Sequence, residues 1–230
     1  MEMRFALKLS DSKKRIEPTQ SGELAQCICC DNRVIAKCGS HRVWHWAHKS
    51  LTGCDPWWEN ETEWHKTYKN LFPNEWHEIR HVDEENGERH VADVKTDKDY
   101  FIEVQHSRIT DEEQTAREAF YKNLVWIVDG SRRKRDYKKF FQYAGFWMQW
   151  PLKERQQLLF HKNAFPEEWE SRPVPVIFDW RLPDDPDNNL VLLYPRLHKT
   201  EPLECCRINR AIFQGMMKRL RPTDRFTPIS

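Results

Sequence analysis

The stretch HVADVKTDKDYFIEVQHS, residues 90–107, decides the fold class. Two apolar runs flank the polar sequence DKD, a pattern that predicts two strands joined by a tight turn. Each run carries one carboxylate, Asp93 in VADV and Glu103 in FIEVQ. Acids are disfavoured in strands, so their presence in apolar runs indicates a site rather than plain scaffold. Gln105 follows Glu103 by two residues and is expected on the same face of its strand.

The elements around this stretch follow the order helix, three-strand meander, helix, strand. The first helix has Asn60 or Thr62 as its N-cap, and the second has Thr110 with Glu113 as a capping box. The continuous apolar run LVWIVDG predicts a strand buried on both faces. The helices are expected at 60–72 and 109–123, and the strands at 75–82, 89–96, 100–107 and 124–130.

The residues after 131 predict a second set of elements. A basic helix is followed by a helix over 151–160, strands over 173–180 and 189–195, and a final helix over roughly 206–220. The last helix shows an apolar stripe that is typical of core packing or of a dimer contact. Its members are Ile208, Ile212, Met216 and Leu220.

Composition and charge define the broad class. The chain has 230 residues, of which 32% are charged and 39% hydrophobic, as in a globular protein. It has no apolar run of the roughly 18 residues that a membrane helix needs, and no signal peptide, so a cytoplasmic location without a membrane partner is expected. The net charge is only +1, but the segments 131–139 and 217–225 are basic. They predict either a local phosphate-binding face or solvated helix surfaces.

Five of the seven cysteines lie between Cys27 and Cys54, which favours a metal site over disulfides. Zinc prefers four tetrahedral nitrogen and sulfur ligands, and a C-x2-C pair followed by a second pair provides them. The predicted zinc ligands are Cys27, Cys30, His48 and Cys54. Cys29, Cys38, His41 and His45 remain alternative ligands. The competing interpretation is a set of small buried hydrophobic residues.

Asp93 and Glu103 predict a second metal site. Carboxylates on adjacent strands of a meander can lie side by side and bind a hard cation such as Mg²⁺, which activates water for phosphodiester hydrolysis. Glu63 and His65 on the preceding helix are candidates for assisting this site. The alternative is that both strand acids face solvent.

Seven blocks in order resemble the competence protein CoiA-like family, within the PD-(D/E)xK nuclease superfamily. They are C-x2-C, VIAKCGSHRVWHWAH, ETEWHKTYK, RHVADV, IEVQHS, the ITDEE helix and LVWIVDG, and they cover about residues 24–130. The resemblance implies an N-terminal zinc-binding region followed by a nuclease-like domain. It implies that Asp93 and Glu103 bind Mg²⁺ or Mn²⁺, that Glu63 is the helix acid, and that Gln105 replaces the superfamily's lysine.

A glutamine can orient water but brings no positive charge, so the metal or His65, Lys69 or His106 must supply the rest. Arg117 and Tyr121 match the R…Y positions of the family, where they contact phosphate, the surroundings of Glu103, or only neighbouring core. The residues expected to bind DNA are Lys69, Arg117, Arg132, Arg133 and Lys134.

The sequence thus predicts an α/β (α+β) protein with a PD-(D/E)xK restriction-endonuclease-like core. The zinc-binding module is assigned to 1–58, the core to 59–145 and an α+β extension to 146–230. The expected function is metal-dependent cleavage of DNA, with structural zinc and catalytic Mg²⁺ or Mn²⁺. A DNA-binding accessory that does not hydrolyse DNA, and a protein-interaction module, are the alternatives. A homodimer or a protein partner through the C-terminal region also stays open.

Overall fold

The computed structural model describes residues 2–49, 53–57, 59, 61–143, 152–153, 155–158, 164–181, 187, 189–196, 198 and 200–221. Contacts divide the chain into a first unit, Met1–Lys95, and a second unit, Thr96–Ser230. The described residues form a mixed α+β protein with two sheets and four α-helices. The boundaries at 58/59 and 145/146 therefore stay a sequence-based prediction. None of these helices has the length and apolar character needed to cross a bilayer.

The first unit begins with a six-stranded antiparallel sheet in the order β1-β6-β5-β4-β2-β3. Its inward face is small and apolar, because alternate residues such as Val34 and Ala36 on β5 are buried beside Trp46. Strands β2 and β3 form an antiparallel hairpin. The bounds are β1 Glu2–Met3, β2 Ala6–Lys8, β3 Asp11–Ile16, β4 Leu24–Gln26, β5 Arg33–Lys37 and β6 His45–His48.

A helix and a β-hairpin complete the first unit. Helix α1 (Glu63–Lys69) starts at its predicted cap, where the Thr62 hydroxyl accepts a hydrogen bond from the His65 amide. Asn60, the other candidate cap, lies outside the described residues. Strands β7 (His77–Val82) and β8 (Arg89–Lys95) pair antiparallel. Along β8, His90, Ala92 and Val94 are buried and Asp93 lies on the opposite, partly exposed face.

The second unit is organised around a central strand. Strand β10 (Leu124–Asp129) is buried at every residue and pairs parallel with both β9 and β12, which confirms its prediction as a strand covered on both faces. The strand order in this unit is β11-β14-β13-β12-β10-β9. The other bounds are β9 Phe101–Gln105, α2 Asp111–Phe120, α3 Lys134–Tyr143, β11 Arg155–Leu158, β12 Val176–Asp179, β13 Leu190–Leu193, β14 Leu203–Ile208 and α4 Arg210–Arg219.

Two predictions for the C-terminal part are wrong. The helix expected over 151–160 is absent from its described residues, since Arg155–Leu158 forms a strand paired with β14. The final helix starts later than expected, because Leu203–Ile208 is a strand between β13 and β11 and α4 begins after the Asn209 cap. Pairing with distant strands overrides local helix propensity in both cases. Three members of the apolar stripe, Ile208, Met216 and Leu220, are buried in the core.

An aromatic cluster packs against the carboxyl end of β10. Trp180 is fully buried and stacks on Phe140, with ring centroids 4.0 Å apart, and on Phe178 at 5.3 Å. Gly130 lies directly against this indole, so a Cβ atom there would come within 2.7 Å of Trp180 Cε3. The close approach of ring and backbone therefore requires glycine at this position.

We expect Gly130→Ala to lower the free energy of unfolding by about 1–3 kcal/mol, because the added methyl must displace a fully packed indole. Urea unfolding followed by tryptophan fluorescence measures the change. Gly39→Ala is the matched control, since a Cβ at Gly39 meets no atom within 4 Å. Equal stability of the two variants would contradict this account of the aromatic cluster.

Candidate functional site

The first candidate site is a cluster of three cysteines and one histidine in the first unit. One donor atom from each of Cys27, Cys30, His48 and Cys54 lies within 4.8 Å of all the others. The Cys27 and Cys54 sulfurs are 3.7 Å apart, and Cys30 Sγ lies 3.2 Å from His48 Nε2. Four convergent nitrogen and sulfur donors have the chemistry of a tetrahedral site for a metal such as zinc.

A tight turn after β4 brings the first two cysteines together. The Cys27 amide donates to Asn32 O at 2.7 Å, and the Asp31 amide donates to Cys27 O at 3.2 Å. Asp31 takes a left-handed backbone with φ 62°, which aspartate tolerates better than most residues. The amides of Cys29 and Cys30 point at Cys27 Sγ, at 3.3 and 3.5 Å. This turn orients the sulfur and stabilises negative charge on it.

The protonation preferences of the cluster suit a metal. Hydrogen bonds from the Cys27 and Cys29 thiols lower the pKa of Cys54, so this residue is the preferred thiolate. The shared hydrogen bond with Cys54, and then burial, raise the pKa of Cys27. Burial lowers the pKa of His48 and keeps its imidazole neutral, which is the metal-binding form. A bound dication would stabilise the remaining thiolates.

The alternative ligands are not members of this set, although the Cys29 thiol is hydrogen-bonded to Cys54. Among the described residues, no donor atom of Cys29, Cys38, His41 or His45 belongs to the four-residue cluster. Cys29 Sγ contacts the backbone oxygen of Arg89 at 3.9 Å, and His45 Nδ1 lies 2.7 Å from Val43 O. The spacing argument and the geometry therefore give the same four residues.

The second candidate site is built around a buried lysine. Lys69, at the end of α1, has only 1% of its side chain exposed. Its ammonium lies 2.7 Å from Glu61 Oε2, 3.0 Å from Glu78 Oε1 and 3.8 Å from Asp93 Oδ1. A buried cation needs compensating charge, and these three carboxylates provide it.

The two buried acids of this cluster have different surroundings. Glu78 accepts hydrogen bonds from the backbone amides of Arg4 and Phe5, at 2.9 and 2.8 Å, and its own backbone has a positive φ of 47°. These contacts make Glu78 a structural acid that fixes the N-terminal segment. Glu61 differs, because its second oxygen, Oε1, is buried without a hydrogen-bond partner in the described part of the chain. That oxygen is available to a ligand.

The charges of the cluster follow from burial and proximity. Burial alone would lower the pKa of Lys69, but the carboxylates of Glu78, Glu61 and Asp93 raise it above its ordinary value, so the ammonium stays protonated. Burial opposes ionisation of Glu78, yet Lys69 and the two backbone amides hold its pKa below the usual range. Burial raises the pKa of Glu61 despite the nearby ammonium.

Three roles predicted for α1 do not fit these positions. Glu63 is 81% exposed and pairs with Lys66 at 3.6 Å, on the opposite side of the helix from Lys69. His65 serves the helix cap, with Nδ1 2.8 Å from Thr62 Oγ1 and Nε2 3.2 Å from Glu59 Oε2. Lys69 is too buried to act as a surface contact for DNA. The helix turns Glu63 outward and Lys69 inward.

Sequence reasoning missed Glu61 and Glu78. Glu61 precedes the helix, where no periodicity assigns a side chain to a face. The available signal was the lysine itself: a lysine on the apolar face with Trp64 and Tyr68 requires buried carboxylates nearby.

In the second unit, Glu103 is paired with an arginine. Arg117 Nη1 lies 2.7 Å from Glu103 Oε2, and both side chains are buried. The same guanidinium contacts Glu113 and lies over the Trp126 ring, 5.7 Å from its centroid. Arg117 therefore belongs to the surroundings of Glu103, one of the open alternatives, and is not a surface phosphate contact. Tyr121 is buried too and packs in the core.

The other predicted residues of this unit lie at the carboxyl ends of β9 and β10. Gln105 Nε2 donates to Ser107 O at 3.2 Å. His106 Nδ1 lies 2.7 Å from Asp129 Oδ2, and Asp129 also accepts from the Ser131 hydroxyl. Gln105, His106, Ser107 and Asp129 border a cavity of about 20 Å³, a size suited to water.

The predicted basic segment is accessible. Arg132, Arg133 and Lys134 are exposed at the start of α3. Arg133 pairs with Asp136 and, at 2.5 Å, with Glu168. Exposed ion pairs of this kind are weak, so the arginines of this segment can exchange them for contacts with a phosphate.

Residues 10–56 match the family model described as Competence protein CoiA, N-terminal domain. These residues are therefore similar to that domain, and we call them the CoiA-like N-terminal region. This region comprises β3 to β6 and contains all four residues of the metal cluster. No curated protein and no solved structure matches the chain. The match confirms the resemblance inferred from the sequence motifs.

The end of the CoiA-like N-terminal region is held against strand β8. Asp55, next to Cys54, contacts His90 Nδ1 at 2.8 Å and accepts from the Val91 amide at 2.8 Å. Trp57 stacks on the His90 ring with centroids 3.3 Å apart. The segment that completes the metal cluster therefore also holds the strand that carries Asp93.

We expect Cys30→Ser to remove the metal from purified protein, because three donors no longer complete a tetrahedral site. Elemental analysis of zinc per chain measures the loss, and circular dichroism checks the fold. Cys38→Ser is the control, since Cys38 lies outside the cluster and should leave the metal content unchanged. Equal zinc in both variants, or none in the unaltered protein, would contradict the assignment.

We expect Lys69→Met to lower the free energy of unfolding at pH 7 by about 3–5 kcal/mol, because it leaves two carboxylates buried without a cation. The difference from the unaltered protein should shrink as the pH falls. In the variant, protonation of the buried carboxylates removes their uncompensated charge. In the unaltered protein, protonation of Glu78 lowers the free energy of unfolding, because the pKa of Glu78 is depressed in the folded state.

Urea unfolding at pH 7 and pH 5 tests both statements. Lys66→Met is the control, because its pair with the exposed Glu63 contributes about 1 kcal/mol or less. A Lys69→Met variant no less stable than the control would show that the cluster does not stabilise the first unit.

Proposed function

We propose that this CoiA-like chain is a nuclease that hydrolyses phosphodiester bonds of DNA with Mg²⁺ or Mn²⁺. The observation that carries the proposal is the arrangement of Glu61, Lys69 and Asp93 in the first unit. It combines a partly exposed carboxylate, a buried carboxylate with an unpartnered oxygen, and a protonated lysine within 3.8 Å of the exposed acid. Such a combination suits chemistry on a phosphate.

Each of these side chains has a distinct proposed task. Asp93 presents its carboxylate towards solvent, and Glu61 Oε1 offers a further oxygen donor of the kind that hard divalent cations prefer. A Mg²⁺ ion held by such acids supplies an activated water and offsets the charge of the phosphate. Lys69, which is too buried to touch the substrate, holds the carboxylates in place and offsets their charge.

The roles of Glu103 and Gln105 rest on the sequence motif D-x9-E-x-Q. The proposal keeps Glu103 as the second metal-binding acid and Gln105 as the group that orients water. The hydrogen bond from Gln105 Nε2 to Ser107 O supports this role, since it fixes the plane of the amide. The positive charge that Gln105 lacks, in place of the superfamily's lysine, would come from the bound metal.

The metal cluster and the basic segment have supporting roles in this proposal. Zn²⁺ held by Cys27, Cys30, His48 and Cys54 would be structural, because four protein ligands leave no open position. Arg132, Arg133 and Lys134 would contact DNA phosphates, which positions the substrate without reading its sequence.

A second candidate function is a DNA-binding accessory protein that does not cleave. It is favoured by the charge compensation already present in each unit. Lys69 neutralises buried acids of the first unit, and Arg117 neutralises Glu103 in the second. Acids with internal cationic partners do not require a metal to be stable. The accessory role predicts salt-dependent DNA binding without metal-dependent cleavage.

We expect Asp93→Asn and Glu61→Gln each to reduce Mg²⁺-dependent cleavage by about 100-fold or more, because each removes a charged oxygen donor. Cleavage of labelled single-stranded, duplex and branched DNA, with and without Mg²⁺, measures the effect. Glu63→Gln is the control on the same helix region and should cleave normally, since its carboxylate is exposed and paired with Lys66.

Loss of cleavage in Glu63→Gln but not in Glu61→Gln would show that Glu63, the acid expected from the sequence, serves the active site. Glu61, the acid next to Lys69, would then have no role in cleavage. Unchanged cleavage in Asp93→Asn would exclude the proposed mechanism. Binding of every substrate without cleavage by the unaltered protein would leave the accessory role.

A further inference from the structure

The first unit contains a groove that none of the roles above uses. Its volume is about 430 Å³, within the range of pockets that hold small ligands. Four segments line it: the N-terminal strand region with Arg4, the stretch after β3 with Glu17, the loop before β6 with Arg42 and Trp44, and helix α1 with Lys66. The lining thus combines one large aromatic ring with three basic side chains and one carboxylate, that of Glu17.

Trp44 gives the groove its unusual character. The side chain is 51% exposed, although an indole normally buries most of its area. Its Nε1–H donates to Gly39 O at 3.2 Å, which fixes the orientation of the ring. A fixed, accessible aromatic face is a ready stacking surface and binds a flat partner with little loss of side-chain entropy.

The basic residues of the groove differ in how strongly they are held by other side chains of the protein. Arg4 is engaged by Glu17 and by Asn70 Oδ1, each at 2.9 Å, and so forms part of the wall. Arg42 is 72% exposed and makes one ion pair with Glu2. Exposed ion pairs contribute little, so Arg42 can exchange its partner for a phosphate at small cost.

Lys66 adds a second available cation. Its side chain is 27% exposed and its ion pair with Glu63, at 3.6 Å, is long. Arg42 and Lys66 therefore provide two adaptable cations in the same groove as the Trp44 ring. This is the combination by which proteins bind unpaired nucleotides: stacking on the base and electrostatic contact with the backbone.

We propose that this groove binds single-stranded DNA, with one base stacked on Trp44 and the flanking phosphates contacted by Arg42 and Lys66. The inference rests on the proposed action on DNA and specifies the strand state that the first unit recognises. Bases inside a duplex are stacked on one another and cannot reach the indole, so the groove selects unpaired strands. Stacking is tolerant of base identity, and little sequence preference follows.

Binding is tested with a fluorescently labelled 12-residue oligothymidylate, by anisotropy, in buffer with Ca²⁺ in place of Mg²⁺. Trp44→Ala should weaken binding by about 10-fold or more, because stacking contributes about 1–3 kcal/mol per base. Trp44→Phe retains an aromatic face and should stay within about threefold of the unaltered protein. Leu24→Ala, which removes another exposed apolar side chain of the same unit, should have no effect.

A strand of the same length with abasic sugars separates stacking from charge. Trp44→Ala should bind this strand as the unaltered protein does, because no base is present to stack. Arg42→Ala should weaken binding of both strands and reduce the slope of log K against log salt by about 0.7, as expected for one lost phosphate contact on a single strand. Arg33→Ala, an exposed arginine on β5, is its matched control.

Equal binding of oligothymidylate by Trp44→Ala and the unaltered protein would overturn the proposal. An equal loss of affinity for the abasic strand in Trp44→Ala would also overturn it. So would displacement of the DNA by a polyglutamate peptide that is seen with the unaltered protein but not with Trp44→Ala. Cleavage is not measured in this assay, so a negative result leaves the nuclease proposal standing. A positive result in a protein that never cleaves would instead support the accessory role.

Discussion

The buried ammonium of Lys69 is the interaction on which the first unit depends. A charge removed from water must be compensated, and here the compensation comes from carboxylates in separate parts of the sequence. Glu61 precedes α1, Glu78 lies on β7 and Asp93 lies on β8. Glu78 in turn accepts the amides of Arg4 and Phe5, so the N-terminal segment is tied to the same cation. One side chain therefore fixes four segments, and the candidate acidic site results from that requirement.

Charge compensation also governs what the acids can do. The Glu103–Arg117 pair in the second unit repeats the principle seen at Lys69, with a carboxylate kept in the interior by a neighbouring cation. Such pairs hold acids in fixed positions, which favours metal binding, but they also weaken the need for a metal. In the first unit, the unpartnered Glu61 Oε1 favours metal binding. A buried acceptor without a donor destabilises the fold until a ligand contacts it.

The CoiA-like N-terminal region contributes more than a candidate metal cluster. Asp55 connects the segment that carries Cys54 to His90 and Val91 on β8. The ligand set and the strand that presents Asp93 are therefore ordered by adjacent residues. The same unit also exposes Trp44 beside Arg42 and Lys66, so the candidate metal cluster, the acidic site and the groove proposed to bind an unpaired strand all belong to residues before Thr96.

The sequence alone predicted the order of elements between residues 60 and 130, the cap at Thr110, Thr62 as one of two candidate caps, and the four residues of the metal cluster. These features depend on local periodicity, capping chemistry and short spacings, which are properties of neighbouring residues. Only the tertiary structure decided that Glu61 rather than Glu63 meets Lys69, that His65 caps a helix, and that Arg155–Leu158 is a strand. Those outcomes depend on which distant segments become neighbours, because burial of a charge and pairing of a strand require partners that no local pattern identifies.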